Sequence, residues 1–129
     1  MNIYLDIDGT ILTKDKQPAK NLDYFLNWCF SKGDVYWLTT HCKENKNKAV
    51  LTYLQPFLNQ NTMDLVTKIK PSKWNTLKTE AINFDKPFLW FDDYLLYVEQ
   101  EELKKRGVFD SWVQVNLNKD DLTKLIATY

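Results

Sequence analysis

Ile3-Tyr4-Leu5-Asp6-Ile7-Asp8-Gly9-Thr10 begins as a buried strand and ends as a reactive turn. Ile3, Tyr4, Leu5 and Ile7 form a short apolar run, in part β-branched and aromatic, which a carboxylate, a glycine and a hydroxyl end at once. In a parallel strand covered on both faces an ionised aspartate is costly. Two of them at the C-terminal tip therefore require a metal, hydrogen-bond donors or both. Paired acids in that place point to chemistry rather than packing.

Further along, strand and helix patterns alternate. A lysine-rich connection from Ile11 to Lys20 leads to Leu22, Tyr24, Phe25, Leu26, Trp28, Cys29 and Phe30, whose spacing predicts a helix over 18–32 stopped by Gly33. Val35-Tyr36-Trp37-Leu38 reads as a second strand, ended by Thr39 and Thr40. Ala49, Val50, Leu51, Tyr53, Leu54 and Phe57 supply a second apolar helix face, and 63–67 reads as a short third strand. Pro71-Ser72 has the look of a helix start, with Trp74, Leu77, Ala81 and Ile82 facing inward. Phe88-Leu89-Trp90-Phe91 is the fourth strand and, like the first, ends in paired acids, Asp92-Asp93. A helix over 95–106 follows, acidic early and basic late as the helix dipole favours, then a fifth strand over 112–115 and a closing helix over 119–128.

This alternation predicts an α/β fold: a doubly wound, Rossmann-like, parallel five-stranded sheet with helices on both faces. With 129 residues and 44% hydrophobic content, residues 1–129 suit a single domain. Seventeen basic and seventeen acidic residues balance, so no global field draws the protein to nucleic acid or to an anionic membrane. No apolar run reaches the ~20 residues of a membrane helix, and the N-terminus lacks a signal-peptide layout, so a cytoplasmic location is expected. Cys29 and Cys42 are too few for a disulfide scaffold and too far apart for a CxxC site.

Every strand of a parallel sheet delivers its C-terminal end to one edge, where ligands bind near the switch in strand order. Asp6 and Asp8, Thr39 and Thr40, and Asp92 and Asp93 each follow a strand and should meet there. Such a set can hold a metal, an anion and a nucleophile.

Asp6-Ile7-Asp8-Gly9-Thr10 resembles the first signature of the haloacid dehalogenase-like superfamily, mostly magnesium-dependent phosphatases that pass through an aspartyl-phosphate. The order of the remaining groups is similar too: a threonine after strand two, a lysine before strand four, paired acids after it. The resemblance implies a phosphomonoester hydrolase in which Asp6 is the nucleophile and Asp8 the general acid and base, with the Asp8 backbone carbonyl also a metal ligand. Gly9 would let the backbone turn about the phosphate. Thr39, Thr40 and a lysine would bind it, and Thr10 would brace the loop. Lys73 is the chosen lysine, because a cation in a first helical turn opposes the dipole and calls for a reason; Lys70, before Pro71, is the reserve. Asp6, Asp8, Asp92 and Asp93 would hold the metal, and oxygen-only ligation suits Mg²⁺. His41 reads as a substrate-side or surface residue.

Caps in this superfamily are inserted after strand one or strand three, and neither connection has room for one. The resemblance is thus to a capless member with an open site, for substrates such as phosphorylated proteins, nucleic-acid ends or small sugar phosphates. Lys14, Lys16, Lys20, His41, Lys43, Lys46 and Lys48 form either a basic rim or a solvated face. The alternative function is a non-catalytic module of the same fold that binds a phosphorylated partner. A receiver-type signalling domain has the wrong order of acids and lysine.

Overall fold

Asn2–Leu5 forms strand β1, buried at every position, and it lies inside the sheet with a parallel neighbour on each side. The computed structural model describes residues 1–129. After β1 come α1 (Leu22–Lys32), β2 (Asp34–Trp37), α2 (Lys48–Leu54), α3 (Gln60–Val66), a 3₁₀ turn at Lys78–Ala81, β3 (Phe88–Asp92), α4 (Tyr97–Lys105), β4 (Trp112–Gln114) and α5 (Leu122–Ile126). The strands are all parallel, in the order β2-β1-β3-β4. The chain therefore winds one way from β1 to β2 and the other way from β3 to β4, and the reversal falls between β1 and β3.

Two-residue alternation along each strand sends side chains to opposite faces, and both faces are apolar. Ile3, Leu5, Val35, Trp37, Leu89, Phe91 and Val113 enter one cluster with Phe25 and Leu26 of α1, Val66 of α3 and Leu122 of α5. Tyr4, Phe88 and Trp90 enter the other with Trp74, Ile82 and Leu103 of α4. Burial on both sides is why these strands read as near-continuous apolar runs. No helix is long and apolar enough to cross a membrane.

Two expectations are corrected. The segment 63–67 is not a strand, so the sheet has four strands rather than five. Met63-Asp64-Leu65 alternates as a strand would, but Asn59 upstream caps a helix: its side chain accepts the Thr62 amide at 2.9 Å. The Thr62 hydroxyl then donates to Asp23 of α1 at 2.6 Å, fixing α3 on α1. The edge beyond β2 is held by one residue: the Lys70 amide donates to the Val35 carbonyl at 2.8 Å, and the Lys70 carbonyl accepts from Trp37 at 2.9 Å. Pro71, which has no N–H, follows at once.

The stretch after Pro71 is not a long helix either. Its backbone groups are claimed by others: Trp74 donates its amide to Lys43 and its indole N–H to Cys42, and the Glu80 carboxylate accepts the amides of Asn75, Thr76 and Leu77. Only the 3₁₀ turn at Lys78–Ala81 remains helical. At the end of α1, Gly33 is required by a close approach, since a Cβ there would collide with the Met1 carbonyl.

Candidate functional site

The pairing of Leu5 with Phe91 leaves Asp6 and Asp92 side by side as the first residues past, and the last residue of, their strands. Both are buried, at 8% and 1% exposure. Asp6, Asp92 and Asp93 each present a carboxylate oxygen within 4.8 Å of the others. Close carboxylates repel by roughly 4 kcal/mol per pair at 4 Å and an effective dielectric near 20. Lys78 answers part of that charge: its Nζ lies 2.7 Å from Asp92 and 3.4 Å from Asp6. Asp92 also accepts from the Trp90 indole at 3.2 Å and the Tyr94 amide at 3.2 Å.

Burial and the neighbouring Asp6 charge push the Asp92 carboxyl well above the ordinary carboxylate range, against the pull of Lys78. Burial works against the Lys78 ammonium, but Asp92 and Asp6 outweigh it and hold the lysine more firmly protonated than usual. Once Asp92 gives up its proton, three carboxylates facing one ammonium leave two negative charges, and every available ligand atom is oxygen. That donor set can hold a hard divalent cation. Gly9, at φ 81°, completes the floor: a Cβ there would collide with the Asp93 carboxylate.

Lys78 itself is placed by Glu99, a buried residue of α4. One Glu99 oxygen accepts the Lys78 amide at 2.8 Å and the other accepts the Leu96 amide at 3.2 Å. The carboxylate thus joins the start of α4 to the turn that carries the lysine.

Asp8 faces a different set of partners. Its Oδ1 accepts from Lys16 Nζ at 2.9 Å and the Tyr53 hydroxyl at 2.7 Å, and its Oδ2 lies 2.8 Å from His41 Nε2. His41 and Tyr53 stack with ring centroids 4.0 Å apart. Partial burial would raise the Asp8 carboxyl, but hydrogen bonds from His41, Tyr53 and Lys16 prevail and hold it at about 2. Lys16 is correspondingly pushed up, first by its bond with Tyr53 and then by Asp8. It reaches Asp8 from a backbone with φ 62°.

Thr39 is buried and its hydroxyl accepts the His41 amide at 3.3 Å. Thr40 lies open in a cleft of about 540 Å³ that it shares with Asp6, Asp8, Lys43, Lys78, Asp92 and Asp93. Of the residues picked out in the sequence, the fold brings together Asp6, Asp8, Gly9, Thr39, Thr40, Asp92 and Asp93. It does not bring Lys73 or Lys70. Lys73 is exposed and pairs its backbone with Glu44; Lys70 forms an exposed ion pair with Asp34 at 3.0 Å. The choice of Lys73 requires a first helical turn at that position, and no helix begins there.

Lys78 and Tyr53 carry no local signal of a site. Each stands inside a stretch with helical apolar spacing, and only the fold turns it toward the carboxylates. Comparison with family models, with curated proteins and with solved structures gives no match.

Proposed function

We propose that this chain is a Mg²⁺-dependent phosphomonoester hydrolase of the haloacid dehalogenase-like, capless type, acting through an aspartyl-phosphate on Asp6. The observation that carries this reading is the convergence of Asp6, Asp92 and Asp93 on one point with Lys78 bridging two of them. Reversal of strand order between β1 and β3, with Lys70 holding the outer edge beyond β2, supports a doubly wound, Rossmann-like reading of the fold.

In the first half-reaction a carboxylate oxygen of Asp6 attacks phosphorus, the bond from phosphorus to the ester oxygen breaks, and the leaving alkoxide takes a proton from Asp8. In the second, water attacks the phosphorus of the aspartyl-phosphate and gives its proton to Asp8. Inorganic phosphate leaves and the Asp6 carboxylate is restored. Asp6, Asp92 and Asp93 would hold Mg²⁺, which when bound offsets charge on the phosphoryl oxygens. Lys78 fills the role for which Lys73 was the candidate, neutralising Asp6 and Asp92 and keeping both aimed at the cleft. Thr39 donates its hydroxyl hydrogen to the phosphoryl group, since that hydroxyl only accepts from His41 within the protein. Thr40 presents its backbone amide, while the Gly9 amide is taken by the Leu12 carbonyl at 2.8 Å, so Gly9 contributes only the close turn of the backbone. To act as an acid, Asp8 must exchange the three donors that keep it ionised.

That last requirement favours one second reading, a non-catalytic module that binds a phosphorylated partner, because a carboxylate held at about 2 is ionised at neutral pH and carries no proton to give. A hydrolysis panel with Mg²⁺ separates the two. Small phosphate esters, phosphopeptides and phosphorylated oligonucleotide ends are assayed with wild type, Asp6→Asn and Asp8→Asn. The hydrolase reading expects turnover that falls by orders of magnitude in both variants. Phosphate-dependent binding with no turnover of any ester selects the module.

A further inference from the structure

Four of the seven exposed large hydrophobic side chains lie in one stretch directly after the paired acids: Tyr94, Leu96, Tyr97 and Val98. Tyr94 and Tyr97 are 66% and 73% exposed. Tyr94 and Leu96 line the carboxylate cleft itself, so an apolar, aromatic lip stands beside the reacting centre. Such a cluster on an otherwise charged surface marks a contact site.

Across the cleft from this lip, Thr40 and Lys43 also belong to a second groove, of about 720 Å³, which continues past His41, Lys46 and Lys48. Glu44 is its single carboxylate. Lys43, Lys46 and Lys48 take part in none of the ion pairs of the fold. Lys43 instead lies over the Trp74 ring, 4.4 Å from its centroid, at the junction of the two grooves. A chain with zero net charge thus places three cations outside any ion pair past the end of β2 and exposed tyrosines past the end of β3, with β1 between those strands.

We infer that the substrate is the phosphorylated end of a single-stranded nucleic acid. The terminal phosphate enters the carboxylate centre, the terminal base stacks on the Tyr94–Tyr97 lip, and the following phosphates run along Lys43, Lys46 and Lys48. Cations that track a backbone beside aromatic rings that take bases are the physical requirements for binding single strands without sequence preference. A free nucleotide would leave the basic groove unused. A phosphopeptide has no run of phosphates to fill it. The inference rests on the hydrolase reading for the identity of the centre, but its test reads binding alone.

The experiment uses the 129-residue chain carrying Asp6→Asn, with Mg²⁺ and a fluorescein-labelled ten-nucleotide thymidine strand carrying a terminal phosphate, followed by anisotropy across a salt series. The expected result is binding whose log affinity falls linearly with log salt. Lys46→Glu with Lys48→Glu reduces that slope by about 1.4 or more, the share of two phosphate contacts on a single strand. Lys46→Gln with Lys48→Gln, a milder pair, changes the slope in the same direction. Tyr94→Ala weakens binding about fivefold or more at constant slope, as loss of one stacked base requires. A charge-matched pair elsewhere, Lys68→Glu with Lys119→Glu, leaves the slope in place.

The inference is overturned if Asp6→Asn does not bind the strand at low salt, or if the two Lys-to-Glu pairs alter the slope equally. It is also overturned if a singly phosphorylated peptide binds as tightly and loses the same slope. Wild type that hydrolyses small esters while Asp6→Asn ignores the strand defeats this inference alone. Strand binding with the expected slopes, in a wild type that hydrolyses nothing, defeats the hydrolase reading and leaves the binding track standing.

Discussion

Lys78 carries the single positive charge that offsets Asp6 and Asp92, at 3.4 and 2.7 Å, and it does so from a largely buried position. Removing it leaves two adjacent buried acids facing each other and deletes a charge-assisted donor from the cleft. Lys78→Met is therefore expected to lower kcat/KM by about 10²–10³-fold, the scale of losing one electrostatic stabiliser of the transition state. Lys73→Ala should stay within about twofold, since an exposed lysine outside the cluster contributes little. Steady-state kinetics on one small ester decides, and the opposite ranking would return the role to Lys73. Asp8 offers an independent test by pH. Its folded value of about 2 lies below the ordinary 3.8, so it stabilises the fold above about pH 4 and loses that contribution as pH falls through about 2. Melting curves of wild type and Asp8→Asn should converge over that window. The difference is small, because the Asp8 side chain is 44% exposed and its ion pairs are screened by solvent.

The elements that matter most for the site are the short ones. Helix α3 replaces the strand expected over 63–67, and it depends on the Asn59 cap at one end and the Thr62–Asp23 bond along its side. A helix of seven residues is too short to be stable by propensity. Asn59→Ala should cost about 1 kcal/mol, measured by denaturant unfolding, with Asn59→Asp close to wild type. No change in the midpoint would mean that packing alone holds α3. The turn at Lys78–Ala81 is governed likewise by side chains from outside it. Glu99 and Glu80 take up the amides that a continuing helix would pair internally, and so Lys78 points into the cleft rather than along a helix face.

On the scale of the whole molecule, the cost of gathering Asp6, Asp92 and Asp93 is spread through stability. Without a cation, Asp92 is relieved by staying protonated far above the usual carboxylate range. A group raised in this way stabilises the fold below its unfolded pKa, and the contribution is lost as pH rises through the folded value. In chelator the melting temperature should decline as pH is raised from the ordinary carboxylate range toward that of Asp92. A cation that binds only the native arrangement reverses this, and its binding displaces the proton. Millimolar Mg²⁺ should therefore raise the melting temperature, by more at higher pH. Asp6→Asn in chelator should melt at or above wild type, having lost one of the repelling charges. A wild type indifferent to Mg²⁺ at every pH, with Asp6→Asn clearly destabilised in chelator, would make Asp6 a structural residue.

The order of strands and helices, the depth of β1 and β3 and the acids at their tips were legible in the sequence, because buried parallel strands must be apolar throughout and a carboxylate ends them. The same pattern brings Asp6, Asp8, Thr39, Asp92 and Asp93 to one sheet edge. Periodicity misjudged 63–67 and the stretch after Pro71, because it records which residues are apolar and not where backbone amides find partners. Asn59 settled the first by capping a helix; Glu80 and Glu99 settled the second by accepting amides from outside. Tertiary structure alone sets Lys78 apart from the other lysines. Lys68, Lys70, Lys73 and Lys78 are chemically alike, and what distinguishes Lys78 is a half-buried position beside two carboxylates, which depends on contacts 14 and more residues away along the chain. It alone also surrounded Asp8 with Lys16, His41 and Tyr53, residues far apart in sequence that meet where β1 and β2 end.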